Sequence, residues 1–174
     1  MGSGIAQWRS PAVLAAAAAV AVAGLSGCAD DPQPQLEIQA LDEDTARSTL
    51  TESGVVIPPG FRFVAGVNNP TGFPGSPSNY VRYDGPAAVF AEPQPMSDAN
   101  PAFGAFRDTD CSSPLVVQVH ALTKLGLSCT PTTRMQVSQA ADEPNDQAVP
   151  PGGKALVLVA GSGVSQLYVI VQGT

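Results

Sequence analysis

The C-terminal end of the chain most constrains the fold, because it carries two apolar segments joined by a glycine turn. The segments are Ala155–Ala160 and Gln166–Gln172, both rich in β-branched residues, and Gly161-Ser162-Gly163 connects them. β-Branched side chains favour strands, and glycine accepts the positive φ of a tight hairpin turn. The sequence therefore predicts a C-terminal β-hairpin.

Alternating apolar and polar residues predict further strands upstream of this hairpin. The pattern occurs in residues 61–67 and 79–85, and residues 115–122 form an internal apolar run that predicts another strand. Residues 41–53 predict a helix, since acids occupy its first turn and Gly54 follows as a stop.

Two shorter segments complete the expected architecture. A capping Ser97 or Asp98, followed by a proline, predicts a short helix, whereas residues 86–92 fit either a helix behind Pro86 or the return strand of a hairpin. The sequence predicts an α+β fold: a mainly antiparallel sheet of about five strands, with two or three short helices on one side.

The length and charge of the chain restrict its organisation and partners. The 174 residues suit one domain with a real core. Arg9 is the only charged side chain before Cys28, so a chain that begins at Cys28 has seven Lys and Arg against 15 Asp and Glu, a net charge of −8. Because such a surface repels phosphate, nucleic acid is not an expected partner.

The N-terminal segment has the pattern of a signal peptide. Residues 11–24 form an apolar run of alanine and valine that is too short to span a bilayer, for which about 20 residues are needed. Leu25-Ser26-Gly27-Cys28 follows, and this motif resembles a bacterial lipobox. With its small acidic domain, the chain resembles uncharacterised lipoproteins of high-GC Gram-positive bacteria.

The resemblance implies a covalent lipid anchor on Cys28. Diacylglycerol would be attached to the thiol, cleavage would remove residues 1–27, and a further acyl chain could modify the new amino terminus. Two or more chains anchor a protein durably. We expect residues 28–39 to be a spacer, residues 40–174 to be a single extracytoplasmic domain, and the protein to be held at the cell membrane, with no cofactor beyond the covalent lipid.

The other two cysteines, Cys111 and Cys129, are predicted to form a disulfide, because disulfides persist outside the cytoplasm. The alternatives are a redox pair or a metal site that includes His120. Neither has local support, since there is no C-x-x-C motif and structural zinc sites usually supply close pairs of ligands.

No catalytic motif is evident in the sequence. His120 is the only histidine, and the predicted strand places it on a polar face with Gln118. No G-x-S-x-G elbow or phosphate-binding glycine motif occurs. The loop at 68–79 could present Phe73 to a ligand or partner, and the Thr/Pro stretch at 130–133 fits an ordinary loop or an O-glycosylated one.

These observations favour a non-catalytic binding or accessory module on the outer side of the membrane. Its partner would be an envelope protein, a glycan or a small molecule. One alternative is an extracytoplasmic hydrolase that uses His120 with an acidic partner. Another is a structural or stress-induced surface protein with no specific ligand.

Overall fold

The structure is a computed structural model that describes residues 37–70, 75–117, 119–140 and 148–174. Its strands are β1 Gln39–Leu41, β2 Arg62–Asn69, β3 Ser78–Pro86, β4 Arg107–Thr109, β5 Met135–Ala140, β6 Lys154–Ala160 and β7 Val164–Val171. Its helices are α1 Glu43–Glu52, α2 Ala88–Ala91, α3 Gln94–Ala99, α4 Pro114–Val117 and α5 His120–Lys124. No helix in these ranges is long and apolar enough to cross a membrane.

The strands form a single seven-stranded sheet in the order β1-β2-β3-β7-β6-β5-β4, and every neighbouring pair is antiparallel. β6 and β7 form the hairpin that the C-terminal sequence predicts, and Gly163 has a φ of 78° at the turn. The hairpin lies inside the sheet, with β3 on one side of it and β5 on the other.

Both faces of the sheet are covered by helices. Leu167 and Val169 pack with residues of α1, α2 and α3 in one core cluster, and we call this side the α1 face. Tyr168 and Ile170 pack with residues of α4 and α5 in the other cluster, on what we call the α5 face. Successive strand residues point to opposite faces, so the two clusters lie on opposite sides of one sheet.

The expected fold class is wrong in two respects. The sheet has seven strands and not about five, and the helices are not confined to one side. Of the five helices in the described residues, only α1 is longer than six residues, so the structure is mostly sheet. β1 and β4 have three residues each, which is too short for a period-two pattern to be recognised.

The strand predicted at 115–122 is also wrong, because this segment forms α4 and α5. Leu115 of α4, Leu122 of α5 and Val119 between the two helices are buried in the core of the α5 face, whereas Val117 is 57% exposed. Pro114 is the first residue of α4, a position that favours proline. Consequently His120 lies in a short helix and not on the polar face of a strand.

The other helix predictions can be compared directly. The helix predicted at 41–53 is confirmed as α1, where the Asp42 carboxylate accepts a 2.8 Å hydrogen bond from the Thr45 backbone N–H. Gly54 follows with a φ of 68°. The open question at 86–92 resolves to the short helix α2. The helix expected to begin at Ser97 or Asp98 is wrong in position, because α3 begins at Gln94 behind Pro93, contains both residues and ends before Pro101.

The predicted disulfide is confirmed. Cys111 and Cys129 are bonded, with their Cα atoms 5.7 Å apart. The bridge closes the segment that contains α4 and α5, which together cover the α5 face. A constraint on this segment therefore supports one of the two core clusters.

Reduction of this disulfide should destabilise the domain. The sequence separation of 18 residues corresponds to about 3 kcal/mol in the chain-entropy model. We expect a reductant, or the double change of Cys111 and Cys129 to Ala, to lower the urea midpoint and to increase the slope of the transition, because the unfolded chain without the cross-link exposes more surface. Labelling of both thiols in the native, unreduced protein would contradict the bridge.

Candidate functional site

An apolar cleft lies on the α1 face of the described structure. It lies between α1, the segment at 54–61 and strands β2 and β3, and its volume of about 450 Å³ falls in the range typical of small-molecule sites. The lining residues are Glu43, Arg47, Leu50, Thr51, Gly54, Val55, Val56, Ile57, Pro58, Pro59, Phe61, Phe63 and Tyr83.

Two aromatic residues from adjacent strands line the cleft from the sheet. Phe63 of β2 is paired in register with Tyr83 of β3, and their rings meet edge to face with centroids 5.9 Å apart. A bulge follows Phe63, so the regular pairing of β2 with β3 is interrupted beside the cleft. Tyr83 is 6% exposed, which makes its ring part of both the core and the lining.

The segment at 54–61 forms the outer wall of the cleft, and the Asn100 side chain holds this wall in place. The Asn100 side chain accepts a 2.8 Å hydrogen bond from the Val56 N–H and donates one of 2.8 Å to the Val56 carbonyl. It also donates to the Met96 carbonyl at 3.0 Å, and the residue is 2% exposed. Because one buried amide bonds both backbone groups of Val56, this wall is fixed without a ligand.

Hydrogen bonds at the end of α1 hold the first residues of the same wall in place. The Val55 N–H donates to the Leu50 carbonyl at 2.8 Å, and the Lys154 ammonium donates to the Ser53 carbonyl. The positive φ of Gly54 lets the chain turn back here. Contacts from α1, β6 and Asn100 therefore shape a preformed cleft.

Charged groups occur at the rim of the cleft. Glu43 and Arg47 form an ion pair of 2.7 Å one turn apart on α1, and their side chains are 52% and 68% exposed. An exposed pair of this kind contributes little to stability. Burial raises the pKa of Tyr83, Arg47 opposes that rise and Glu43 adds to it, so the phenol stays neutral at physiological pH.

The residues that the sequence singled out do not meet at this cleft. His120 is an exposed residue at the start of α5, on the opposite side of the sheet. Among the described residues, none forms a hydrogen bond with its imidazole, and no cluster of His, Cys, Asp and Glu suits a metal ion. Cys28 and Phe73 lie outside the described residues.

A second, more open concavity surrounds the disulfide. Its Asp110 carboxylate accepts hydrogen bonds from the hydroxyl and backbone N–H of Ser112, which lower the pKa of Asp110. Thr130 exchanges hydroxyl contacts with Thr132 and Thr133 at 3.1 and 2.9 Å. These polar groups form hydrogen bonds with one another within the loops. O-glycosylation at 130–133 stays a prediction.

Sequence reasoning did not identify the cleft. Phe63 and Tyr83 were recognised as strand residues, but their pairing depends on the register of β2 and β3. The available signal was the apolar, proline-containing segment at 55–59, directly after a helix stop. Compared with family models, curated proteins and solved structures, the chain has no match.

The role of Asn100 in the outer wall can be tested by Asn100→Ala. We expect the loss of three hydrogen bonds, one buried and two partly buried, to lower the free energy of unfolding by about 2 kcal/mol and to accelerate hydrogen exchange at the Val56 amide. Asn68→Ala is the control, because the Asn68 amide donates to Asn79 at 2.9 Å away from the cleft. Unchanged Val56 exchange in Asn100→Ala would show that the wall is held by other contacts.

Proposed function

We propose that this protein is a lipid-anchored binding module on the outer side of the cell membrane. The N-terminal pattern that ends in Cys28 supports the anchor and the location. The domain beyond the spacer supplies the binding site, and the site is the cleft beside α1. In this reading the chain presents a small, largely apolar molecule at the membrane surface.

The preformed apolar cleft is the observation that carries this proposal. Its volume of about 450 Å³ is lined mainly by aliphatic, aromatic and proline residues. Its outer wall is fixed by two hydrogen bonds between Val56 and the buried Asn100, so little ordering is required when a ligand enters. Binding sites gain affinity when this cost is reduced.

The location of His120 favours binding in the cleft over the hydrolase alternative. A hydrolase based on His120 would act from the α5 face, whereas the cleft opens on the α1 face. The aromatic and aliphatic lining is suited to holding a ligand by burial of apolar surface.

A bulky residue in the cleft should abolish ligand binding. Thr51 lies on the exposed side of α1 and lines the cleft, so Thr51→Phe should fill part of it. We expect native mass spectra of the protein purified from membranes to show a noncovalent adduct that is absent in Thr51→Phe. The matched control is Ser48→Phe, an exposed position of the same helix that does not line the cleft.

The outcomes of this experiment separate binding from its absence. An adduct in the unaltered protein and in Ser48→Phe, but not in Thr51→Phe, supports the cleft as the site. An adduct in all three proteins places the site elsewhere. A protein without any adduct after gentle extraction contradicts the proposed binding function.

The anchor is tested separately at Cys28. Cys28→Ala should abolish incorporation of a clickable fatty acid into the protein and should prevent removal of residues 1–27, because the acylated thiol precedes cleavage in the lipobox pathway that the motif resembles. Cys111→Ala is the control, since Cys111 belongs to the disulfide. Normal labelling of the Cys28→Ala protein would refute the anchor.

A further inference from the structure

We propose, on the basis of the binding function above, that the cleft takes an acyl chain of an uncharged or zwitterionic membrane lipid. The ester carbonyl of that chain accepts a hydrogen bond from the Tyr83 hydroxyl, and the head group stays outside beyond Glu43 and Arg47.

The charges of the lining favour an uncharged group inside the cleft. Glu43 and Arg47 are 2.7 Å apart and neutralise each other, and Tyr83 remains protonated. A charged ligand group would either break the ion pair or be buried without a counterion, and both are unfavourable. The net charge of −8 from Cys28 onward further repels anionic molecules.

The hydrogen bonds of the lining favour hydrocarbon. The Thr51 hydroxyl donates to the Arg47 carbonyl at 2.9 Å, and both backbone groups of Val56 bond to Asn100. These polar groups are already satisfied within the protein. A ligand rich in donors and acceptors would therefore lose hydrogen bonds to water without gaining new ones in the cleft.

Tyr83 is the exception among the polar side chains of the lining. Although only 6% of the residue is exposed, its hydroxyl is accessible to solvent and has no hydrogen-bond partner within the described part of the chain. An accessible hydroxyl without a partner in the protein can donate to a ligand acceptor that takes the place of water. An acyl ester supplies one carbonyl acceptor at the end of a hydrocarbon chain, which matches one hydroxyl in an otherwise apolar cleft.

The spacer identifies the membrane as the source of the chain. Eight residues separate Cys28 from Glu37, the first described residue, and even when fully extended this connection reaches about 30 Å. An anchored domain would thus meet bilayer lipids at high effective concentration. Moving an acyl chain from the bilayer into an apolar cleft exchanges one apolar environment for another, so uptake and return are both accessible.

A tryptophan at the cleft would report its occupant. The sequence has one tryptophan, Trp8, in the segment predicted to be removed, so Val56→Trp would give the mature chain a single reporter. The lipidated protein would be placed in phosphatidylcholine vesicles with brominated acyl chains, which quench a tryptophan they contact. We expect Val56→Trp to lose most of its emission relative to vesicles without bromine.

Two variants determine whether quenching comes from the cleft. Val117→Trp is the matched control, because Val117 and Val56 are 57% and 52% exposed and Val117 lies on α4. We expect Val117→Trp to keep its emission. Adding Thr51→Phe to Val56→Trp should restore the emission by filling the cleft, and adding Tyr83→Phe should restore it in part by removing the ester contact.

Each other outcome overturns part or all of the proposal. Quenching that persists with Thr51→Phe shows insertion of the surface into the bilayer and not uptake into the cleft. No quenching in Val56→Trp shows that the cleft is closed to the lipids, or holds the unbrominated chains on Cys28. If the native mass spectra still show an adduct that Thr51→Phe abolishes, the cleft binds a ligand, but that ligand is not a membrane lipid. Quenching unchanged by Tyr83→Phe refutes the ester contact.

Discussion

The burial of β6 and β7 on both faces is the constraint on which the rest of the structure depends. Residues 155–159 are at most 4% exposed, and residues 167–170 are fully buried. A hairpin that is apolar on both sides cannot lie at a solvated surface, so the chain must supply a helical layer on each face of the sheet. α1, α2 and α3 form one layer, and α4 and α5 form the other.

The cleft follows from the way α1 covers its face of the sheet. Ala46 and Leu50 are buried against the sheet, whereas Glu43 and Arg47 lie beside them on the helix and remain exposed at the rim of the cleft. The chain then turns at Gly54 and returns as an extended segment held by Asn100. Helix and returning segment leave a space between them over β2 and β3, and the cleft is that space.

Local patterns predicted the elements whose signal lies within a few residues. The hairpin at Gly161–Gly163 and the helix α1 with its Asp42 cap belong to this group, whereas the disulfide was predicted from the expected location outside the cytoplasm. The unbroken apolar runs of β6 and β7 also contained the information that both faces are buried, but they were interpreted only as strand propensity. The strand prediction at 115–122 also relied on strand propensity. It was wrong because the β-branched residues of this segment belong to the short helices α4 and α5 and the turn between them.

The cleft could not be predicted in the same way, since it depends on contacts between residues far apart in the sequence. Val56 meets Asn100 across 44 positions, and Phe63 meets Tyr83 through strand register. Strand β3 also contributes side chains to both the α1 face and the α5 face of the sheet. Tyr83 lines the cleft, while the preceding Arg82 bonds to Asp84 and to the Leu125 carbonyl beyond α5. Neighbouring residues of this central strand therefore lie on opposite faces of the sheet. Consequently α4 and α5, which the disulfide constrains, can stabilise the sheet under the cleft from the α5 face without restricting access to the cleft.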